Sequence, residues 1–484
     1  MQQTKQKFDW KSFIPAIATI AIPVALQNLL TTAGGMVDTM MIGRLGENSV
    51  GAVGFAAQLS YLMVACYWGF IGGGMLFMAQ YWGAKDEDGL TRSYGMTLTF
   101  VLSVALIFMM FATCFPELVM SVYTDKPVIQ ELAVPYLRIA GFGYPFMALS
   151  IAASSLLRST ERVRIPLYAS IAAVLTNVLM NWVLIFGHLG APALGIRGAA
   201  IATVISQVVN FGVVIGLSAV VGFKYLFRVR AQFRWTRSFL KQYLKKCFPV
   251  ICNELGIGLS GMLISIVLGR QIEAAIAAVA VFRTVESIFT GFFNGFSNAM
   301  SILVGKSVGA GELDTAYERA KRIIPVCAVV MATLSLILQF VKRPLLIVMG
   351  LSGESLAIGE DILLKFGFII IIRMCNWGMN DTYRSAGDAV TGTTLELVFM
   401  YLMVIPTVYI SFFALHVPFG ILFMLIYCDE PIRFVLMQIH MYSACWVRPV
   451  TPEGQAALPP FAEKHPKLKK RLERLAEKEG KASV

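Results

Sequence analysis

The sequence predicts an all-α polytopic membrane protein with twelve transmembrane helices, arranged as two six-helix parallel repeats. Three observations carry this prediction. Of 484 residues, 57% are hydrophobic and only 14% charged, against about 25% charged in a soluble domain, and the mean hydropathy is +0.69. Apolar runs of at least about 18 residues, long enough to cross a bilayer, recur along almost the whole chain. The second half also repeats the first.

Turn residues and charges divide the apolar runs into twelve segments, each of which we expect to form one helix. They cover residues 13–42, 49–80, 93–115, 131–157, 163–187, 196–222, 246–270, 275–305, 320–350, 358–386, 393–415 and 417–445. A water-soluble protein with one buried core is the alternative. Twelve runs of this length argue against it.

The internal repeat has a single offset of 226 residues. Pro23-Val24 falls on Pro249-Val250, and the same register holds for Gly83-Ala84 on Gly309-Ala310 and for Arg158-Ser159 on Arg384-Ser385. Six is an even number, so both halves enter the membrane from the same side and are parallel repeats. Secondary transporters are built in this way, with the substrate pathway between the halves.

The repeat and the charges together predict five regions. They are a cytoplasmic N-terminus (1–12), an N-lobe (13–222), a basic cytoplasmic linker (223–245), a C-lobe (246–445) and a basic cytoplasmic tail (446–484). Basic clusters near the spans place both termini in the cytoplasm by the positive-inside rule. The net charge of +12 would also suit nucleic acid, but clusters that flank spans suit anionic lipid headgroups. In the tail, the spacing of Leu468, Leu472 and Leu475 predicts a short surface helix.

No enzyme motif is present. HExxH, GxSxG and paired-histidine metal spacings do not occur, and the eight cysteines are scattered without a CxxC, so neither a zinc site nor a disulfide framework is indicated. The N-terminal stretch lacks a cleavage site and is not expected to be a signal peptide. GFIGG (69–73) and GFFNG (291–295) carry the GxxxG spacing, which predicts close helix packing.

A carboxylate lies at the end of the first apolar segment. Residues 13–34 carry no charge, and Asp38 follows in GMVDTMMIG. A charge at a helix centre costs about 2.5–3.5 kcal/mol in a membrane. Gln27, Thr31, Gly34 and Asp38 share one helix face, and further polar residues lie on the fifth segment (Asn177, Asn181) and the sixth (Thr203, Gln207, Asn210). A carboxylate among amide and hydroxyl oxygens suits sodium and can also carry a proton; simple solvation near the headgroups is the alternative.

The chain resembles the multidrug and toxic compound extrusion (MATE) family over about residues 13–443. The resemblance rests on AIPVALQNLLTTAGGMVDTMMIGRLG, AQYWGAKD with its repeat VGKSVGAGELD, LLRSTERVRIP, NVLMNWVLIFG and ALGIRGAAIAT. It implies a two-lobed antiporter that exports organic, often cationic, compounds in exchange for sodium or protons.

The resemblance also implies a coupling site at Asp38, Asn177, Asn181 and Thr203. Relatives carry a second acid where this chain has Asn181, which weakens a sodium cage and favours simple proton carriage. Pro23 removes a backbone hydrogen bond and allows the first helix to bend, and in the family such bending accompanies titration.

The second half holds a different set of ionisable residues. They are Glu254, Glu286, Asp381, Glu396, Asp429 and Glu430, with Arg283, Arg373 and Arg433. Because charges in a span cannot face lipid, we expect these side chains to face protein or a wet cavity. Six acids against three arginines leave some carboxylates protonated, cation-bound or hydrated. A buried ion-pair network that locks the lobe is the alternative.

Sodium-coupled relatives use a seventh-helix Glu and a tenth-helix Asp. Glu254 is a candidate for the first, whereas Arg373 falls on the second, which argues against a copied sodium site. We hypothesise that Arg373 acts as a tethered cation or meets an anionic part of the substrate.

The sequence therefore predicts a monomeric, ion-coupled antiporter in the plasma membrane of a bacterium. It is not an enzyme, needs no cofactor beyond the coupling ion (H⁺ or Na⁺, the latter at Asp38), exports a small molecule and binds no nucleic acid. The alternatives are a lipid-linked oligosaccharide flippase, a transporter of an anionic or zwitterionic metabolite, and a structural or receptor-like membrane protein.

Overall fold

The computed structural model describes residues 8–482, with side chains as far as residue 477. This part of the chain is almost wholly helical and contains no strand, which confirms the predicted fold class. The ends of the predicted N-terminus and tail, residues 1–7 and 483–484, lie outside the described residues.

Six long helices come from the first half of the chain. They are α1 (Trp10–Gly43), α2 (Glu47–Gly83), α3 (Glu87–Cys114), α4 (Pro127–Ser159), α5 (Arg164–Phe186) and α6 (Ile196–Val220). A short helix at Pro116–Tyr123 connects α3 to α4, and α4 contains one 3₁₀ turn at Gly141–Gly143.

The second half continues the series with nine helices. They are α7 (Arg237–Leu268), α8 (Glu273–Gly309), α9 (Leu313–Val348), α10 (Gly353–Ser385), α11 (Thr391–Phe413), α12 (Phe419–Leu425), α13 (Glu430–Ser443), α14 (Pro452–Glu463) and α15 (Pro466–Ala482). In the described part of the chain, ten helices are long and apolar enough to cross a membrane, namely α1 to α9 and α11.

The last predicted span, 417–445, is not one helix. The chain turns at residues 426–429, between α12 and α13. Pro431 lies in the first turn of α13, where a missing N–H is tolerated. The break places Asp429 immediately before α13 and Glu430 at its first residue. The prediction was wrong here because the apolar run continues across the break.

The segment between the halves is more helical than predicted. A 3₁₀ turn at Lys224–Leu226 and a short helix at Val229–Gln232 occupy part of the predicted linker. Helix α7 then begins at Arg237, earlier than the predicted residue 246. Its first turns are basic, so apolar composition alone did not locate its start.

The chain divides into two compact units. The N-unit comprises Pro23–Met78 and Glu87–Ile251, and the C-unit comprises the chain up to Ile22, Ala79–Asp86 and the chain from Cys252 onward. The N-unit has an apolar core in which Met63, Tyr67 and Leu137 are fully buried.

Small residues bring α2 close to α7 within the N-unit. A Cβ atom at Gly69 would lie 2.8 Å from the Cα of Ile251, and one at Gly73 would lie 3.2 Å from the Cα of Cys247. The first distance is too short for a side chain, and the second is tighter than most Cβ contacts. The close packing predicted from GFIGG is therefore confirmed.

A second close crossing joins the end of α2 to α8 within the C-unit. A Cβ atom at Gly83 would overlap the carbonyl of Lys306, and one at Gly309 would overlap the carbonyl of Gln80. Gln80 and Gly83 correspond to Lys306 and Gly309 at the repeat offset, so the two glycine contacts are equivalent to each other. Neither helix has room for a side chain at this crossing.

The chain after α13 folds back onto the turn between α10 and α11. Asp388, which is fully buried, accepts a hydrogen bond from the Thr391 hydroxyl (2.7 Å) and lies 2.8 Å from Arg448 and 3.0 Å from His440. Burial by itself raises the pKa of Asp388, but the His440 hydrogen bond and the Arg448 charge outweigh it, and the pKa lies below its usual value. The predicted tail helix is α15, in which Leu468 is buried.

Candidate functional site

The carboxylate of Asp38 in α1 is held by α5 within the N-unit. Asn181 Nδ2 donates a hydrogen bond to Asp38 Oδ1 at 2.6 Å and a second one to Asn177 Oδ1 at 3.2 Å. Asn177 and Asn181 are one turn apart, so both lie on the same face of α5. Three of the four residues predicted for the coupling site therefore form one hydrogen-bonded group.

A polar pocket of about 230 Å³ lies beside this group. Helices α1, α5 and α6 line it with Thr31, Gly34, Gly35, Asp38, Ser170, Ala173, Val174, Asn177, Thr203, Ser206, Gln207 and Asn210. The sequence predicted three of the four polar residues of α6 in this set, Thr203, Gln207 and Asn210, and missed Ser206. Among the described side chains of the wall, Asp38 alone carries a charge. The pocket can hold an ion with several waters, since one water takes about 30 Å³ in the liquid.

Gln27 has a different role from the one its position on the Asp38 face suggested. Its Nε2 donates to Ser170 Oγ at 2.8 Å, and its Oε1 accepts from Arg158 Nη2 at 2.8 Å. Gln27 does not line the pocket. It ties α1 to α4 and α5 instead.

The proline of α1 does not interrupt the helix. α1 is continuous from Trp10 to Gly43, and Pro23 lies within it. The predicted bending at Pro23 stays a prediction about another conformation.

Sequence reasoning missed two further contributors to this site, Tyr136 and Ser170. Tyr136 of α4, which is buried, interacts with both Asp38 and Thr203. A tyrosine in an apolar helix gives no signal of such a role. Ser170 did give one, because it precedes Asn177 by seven residues and so shares its helix face.

The ionisable residues of the second half form a chain of alternating charge in the C-unit. Glu286 of α8 pairs with Arg373 of α10, and Arg373 Nε lies 3.8 Å from Glu430 Oε1. Glu430 Oε2 in turn lies 3.2 Å from Arg433 Nη2 and accepts a hydrogen bond from Asn376 at 2.7 Å. The side chains of Glu286 and Arg373 are each 22% exposed, whereas those of Glu430 and Arg433 are 7% and 3% exposed.

Arg433 is the centre of the buried part of this chain. Its Nη1 lies 3.2 Å from Asp429 Oδ2 and 3.7 Å from Glu396 Oε1. Glu396 also accepts hydrogen bonds from Asn253 (3.1 Å) and Asn380 (3.2 Å). Three carboxylates around one guanidinium are only partly neutralised. All of these charged residues line a cavity within the C-unit, and those around Arg433 are almost fully buried, so the arrangement has features of both alternatives predicted from the sequence.

The remaining predicted residues lie apart from that chain. Arg384 Nη1 lies 3.8 Å from Glu254 and 3.6 Å from Asp381, which accepts a hydrogen bond from Ser297. Arg283 is exposed and donates to the Ser265 hydroxyl at 2.8 Å. Arg283 and Glu286 are three residues apart on α8, but of the two only Glu286 meets Arg373.

Each half of the chain contains a hydrogen bond at the same pair of equivalent positions. Gln27 bonds to Ser170 across 143 residues, and Asn253 bonds to Glu396 across the same separation. Both pairs match at the repeat offset. The second half therefore carries a carboxylate where the first has a hydroxyl.

Known proteins resemble this chain in both sequence and fold. The MatE family model matches residues 23–183 and 249–410, once in each repeat and over more than half of the chain. The chain is 24% identical to the uncharacterized transporter YisQ of Bacillus subtilis, over 90% of this chain and 95% of that protein. It is 28% identical to the probable multidrug resistance protein YoeA of the same organism, over 67% and 69% of the two chains. The bent form of the MATE transporter VcmN of Vibrio cholerae superposes with a TM-score of 0.80 at 17% identity, covering 90% of this chain and 97% of that one, which shows a common fold.

Proposed function

This chain belongs to the MATE family of membrane transporters, and we propose that it is a secondary antiporter that exports organic cations or amphipathic compounds in exchange for protons or sodium. As a MATE-type transporter it is a multi-pass membrane protein that moves small molecules and is not an enzyme. The exchange and the substrate class are what we add.

The observation that carries the proposal is the position of Asp38. Its carboxylate is bound by Asn181 at 2.6 Å and borders a polar pocket that contains hydroxyl and amide oxygens. Such a carboxylate can release and rebind a cation when the pocket is opened to one side or the other. With no second acid in the described wall, we favour the proton over sodium as the cation.

Alternating access then follows from competition. The coupling ion and the substrate stabilise opposite conformations, and each shifts the equilibrium only by its differential affinity for the two. We place the protein as a monomer in the plasma membrane of a bacterium with both termini cytoplasmic, because the basic clusters of the linker and tail then face the cytoplasm.

The charge of the C-unit cavity bears on the alternative functions. Its wall carries four carboxylates and three arginines. A flippase for lipid-linked sugars moves a negatively charged pyrophosphate headgroup, and an acidic surplus repels it. This balance supports the export of cations.

Transport in vesicles tests the proposal. Purified protein is reconstituted, a pH or sodium gradient is imposed, and ethidium movement is followed by fluorescence. We expect gradient-driven movement that falls at least tenfold in Asp38→Asn. Glu47→Gln, which removes an exposed carboxylate at the start of α2, should behave as the wild type. Ethidium movement that is independent of both gradients would refute antiport.

A further inference from the structure

A cavity of about 570 Å³ lies within the C-unit. Its charged wall residues are Arg283, Glu286, Arg373, Glu396, Asp429, Glu430 and Arg433. With all of them ionised the wall carries one negative charge in excess. The cavity is also lined by apolar and aromatic side chains, among them Phe282, Trp377 and Phe423.

The guanidinium of Arg373 occupies a cation-binding environment inside this cavity. It pairs with Glu286 and lies 3.8 Å from Glu430. Its central carbon lies 5.6 Å from the ring centroid of Trp377 and 5.0 Å from that of Tyr427. Carboxylates beside aromatic faces are the groups that bind organic cations. Arg373 therefore takes the place that such a ligand would take.

The pair of Arg373 and Glu286 is the part of the network that an incoming molecule can reach. Both side chains are 22% exposed, and the partners behind them are almost fully buried. Glu430 remains close to Arg373 when Glu286 is taken away. Opening this pair thus leaves the arginine with a carboxylate partner.

Buried polar atoms near this network include more unpaired acceptors than unpaired donors. Around this network, within the described part of the chain, four buried acceptor oxygens have no hydrogen-bond donor, against two donor nitrogens without an acceptor. The acceptors are Asn253 Oδ1, Asn376 Oδ1, Asn380 Oδ1 and Asp429 Oδ2, and the donors are Arg384 Nε and Arg433 Nε. Of these six groups, only Asp429 and Arg433 belong to residues that line the cavity, so a ligand there can reach one such acceptor, Asp429 Oδ2. A carboxylate ligand would add a further acceptor beside it.

We propose that this cavity binds an aromatic organic monocation, which displaces the Arg373 guanidinium from Glu286 and leaves Arg373 paired with Glu430. The proposal rests on the proposed function and names the site and the residue that competes with the substrate. A bound monocation brings the wall to zero net charge. An anion bound at Arg373 would leave Glu286 without its cation and raise the negative excess to two, which is unfavourable beside the almost fully buried Glu430 and Arg433.

Equilibrium binding of ethidium to purified protein in detergent, with no gradient present, tests this displacement. An internal competitor that occupies Glu286 about 90% of the time lowers the apparent affinity tenfold. Arg373→Ala should therefore bind ethidium about tenfold more tightly than the wild type, and Glu286→Gln should lose at least tenfold. Arg283→Ala removes the same charge from the same wall but frees no carboxylate, so it measures the purely electrostatic part, which should stay below about threefold.

Two further arms keep the test decisive. Arg373→Gln retains hydrogen-bond donors and should also tighten ethidium binding if Arg373→Ala fails to fold. Glu286→Gln leaves Arg373 paired with Glu430, so unchanged ethidium binding by this variant overturns the proposal by itself. Weaker or equal binding by the Arg373 variants overturns it as well, as does benzoate binding to the wild type that Arg373→Ala abolishes. A failure of gradient-driven transport would refute the antiport and leave these binding results standing, so the two failures are distinguishable.

Discussion

Replacing Gly309 with alanine tests the crossing of α2 and α8. The added Cβ would overlap the backbone carbonyl of Gln80, and helical backbone cannot rotate away, so the two helices must move apart. Overpacking costs typically 1–3 kcal/mol, and an obstacle made of backbone puts this case near the upper end, about 3 kcal/mol. The better helix propensity of alanine returns about 1 kcal/mol. We expect a net loss of about 2 kcal/mol, or roughly 4–8 °C in Tm for a folding unit of this size.

The measurement is thermal unfolding of the purified variant in a single detergent. Gly258→Ala is the matched control, because Gly258 also lies in a long helix of the C-unit and has open space where its Cβ would be. This control should be as stable as the wild type or up to about 1 kcal/mol more stable. If Gly309→Ala has the same Tm as Gly258→Ala, then α2 and α8 can separate at little cost and the geometric argument is wrong.

The equivalent substitution in the first half sharpens the test. Gly83→Ala should destabilise by a similar amount, because Gly83 meets the carbonyl of Lys306 at the same crossing. Once one methyl group has separated the helices, the second costs less. The double variant should therefore lose less than the sum of the single losses, and strict additivity would mean that the two glycines act independently.

Two other perturbations test the tail and the coupling site. Asp388→Asn should lower the Tm at neutral pH by an amount equivalent to about 3 kcal/mol, whereas Asp314→Asn, which breaks an exposed pair, should cost under about 1 kcal/mol. Because the folded pKa of Asp388 is lowered, its stabilisation is complete above the unfolded value, near pH 4, and is lost as the pH falls through the folded value; the gap between wild type and Asp388→Asn should close over that range, and a gap that stays constant would contradict this. Asn181→Ala removes a charge-assisted hydrogen bond to Asp38 worth about 1.5–3 kcal/mol and should lower gradient-driven ethidium movement at least tenfold. Asn177→Ala, which removes only an acceptor from Asn181, should have a smaller effect, and equal losses would count against the assignment.

The bilayer explains why the fold could be predicted so fully from the sequence. Lipid leaves the backbone no partners outside its own helix, so apolar length and a repeat offset suffice to predict eleven of the twelve segments as long helices. The break at residues 426–429 was not predicted. Where a helix is interrupted, neighbouring side chains can bind backbone groups beside the break, as Asn376 does for the carbonyl of Glu430, and composition does not show this. The start of α7 at Arg237 was also not predicted, because its first helical turns are basic and have the composition of a linker.

The sequence predicted which residues share a face of one helix, but it could not predict which residues on two different helices are in contact. Asn177 and Asn181 follow from the period of α5 alone. By contrast, Arg373 meets Glu286 across 87 residues, and no periodicity within α8 or α10 selects that partner from six carboxylates. Gln27 shows the same limit, because its place on the Asp38 face of α1 could not show that Ser170 and Arg158 would engage it.

The hydrogen bond shared by the two halves offers a test of the repeat in three dimensions. Asn253→Gln alone lengthens a fully buried side chain against Glu396 and should destabilise by overpacking. Glu396→Ser alone leaves the amides of Asn253 and Asn380 without their acceptor and should also destabilise. Together the two changes install the Gln and Ser pair of the first half, in which the longer amide reaches the shorter hydroxyl. If the positions are equivalent, a double-mutant cycle on thermal unfolding should give a favourable coupling of at least about 1 kcal/mol, and a coupling near zero would mean that the matching sequence separation is coincidental.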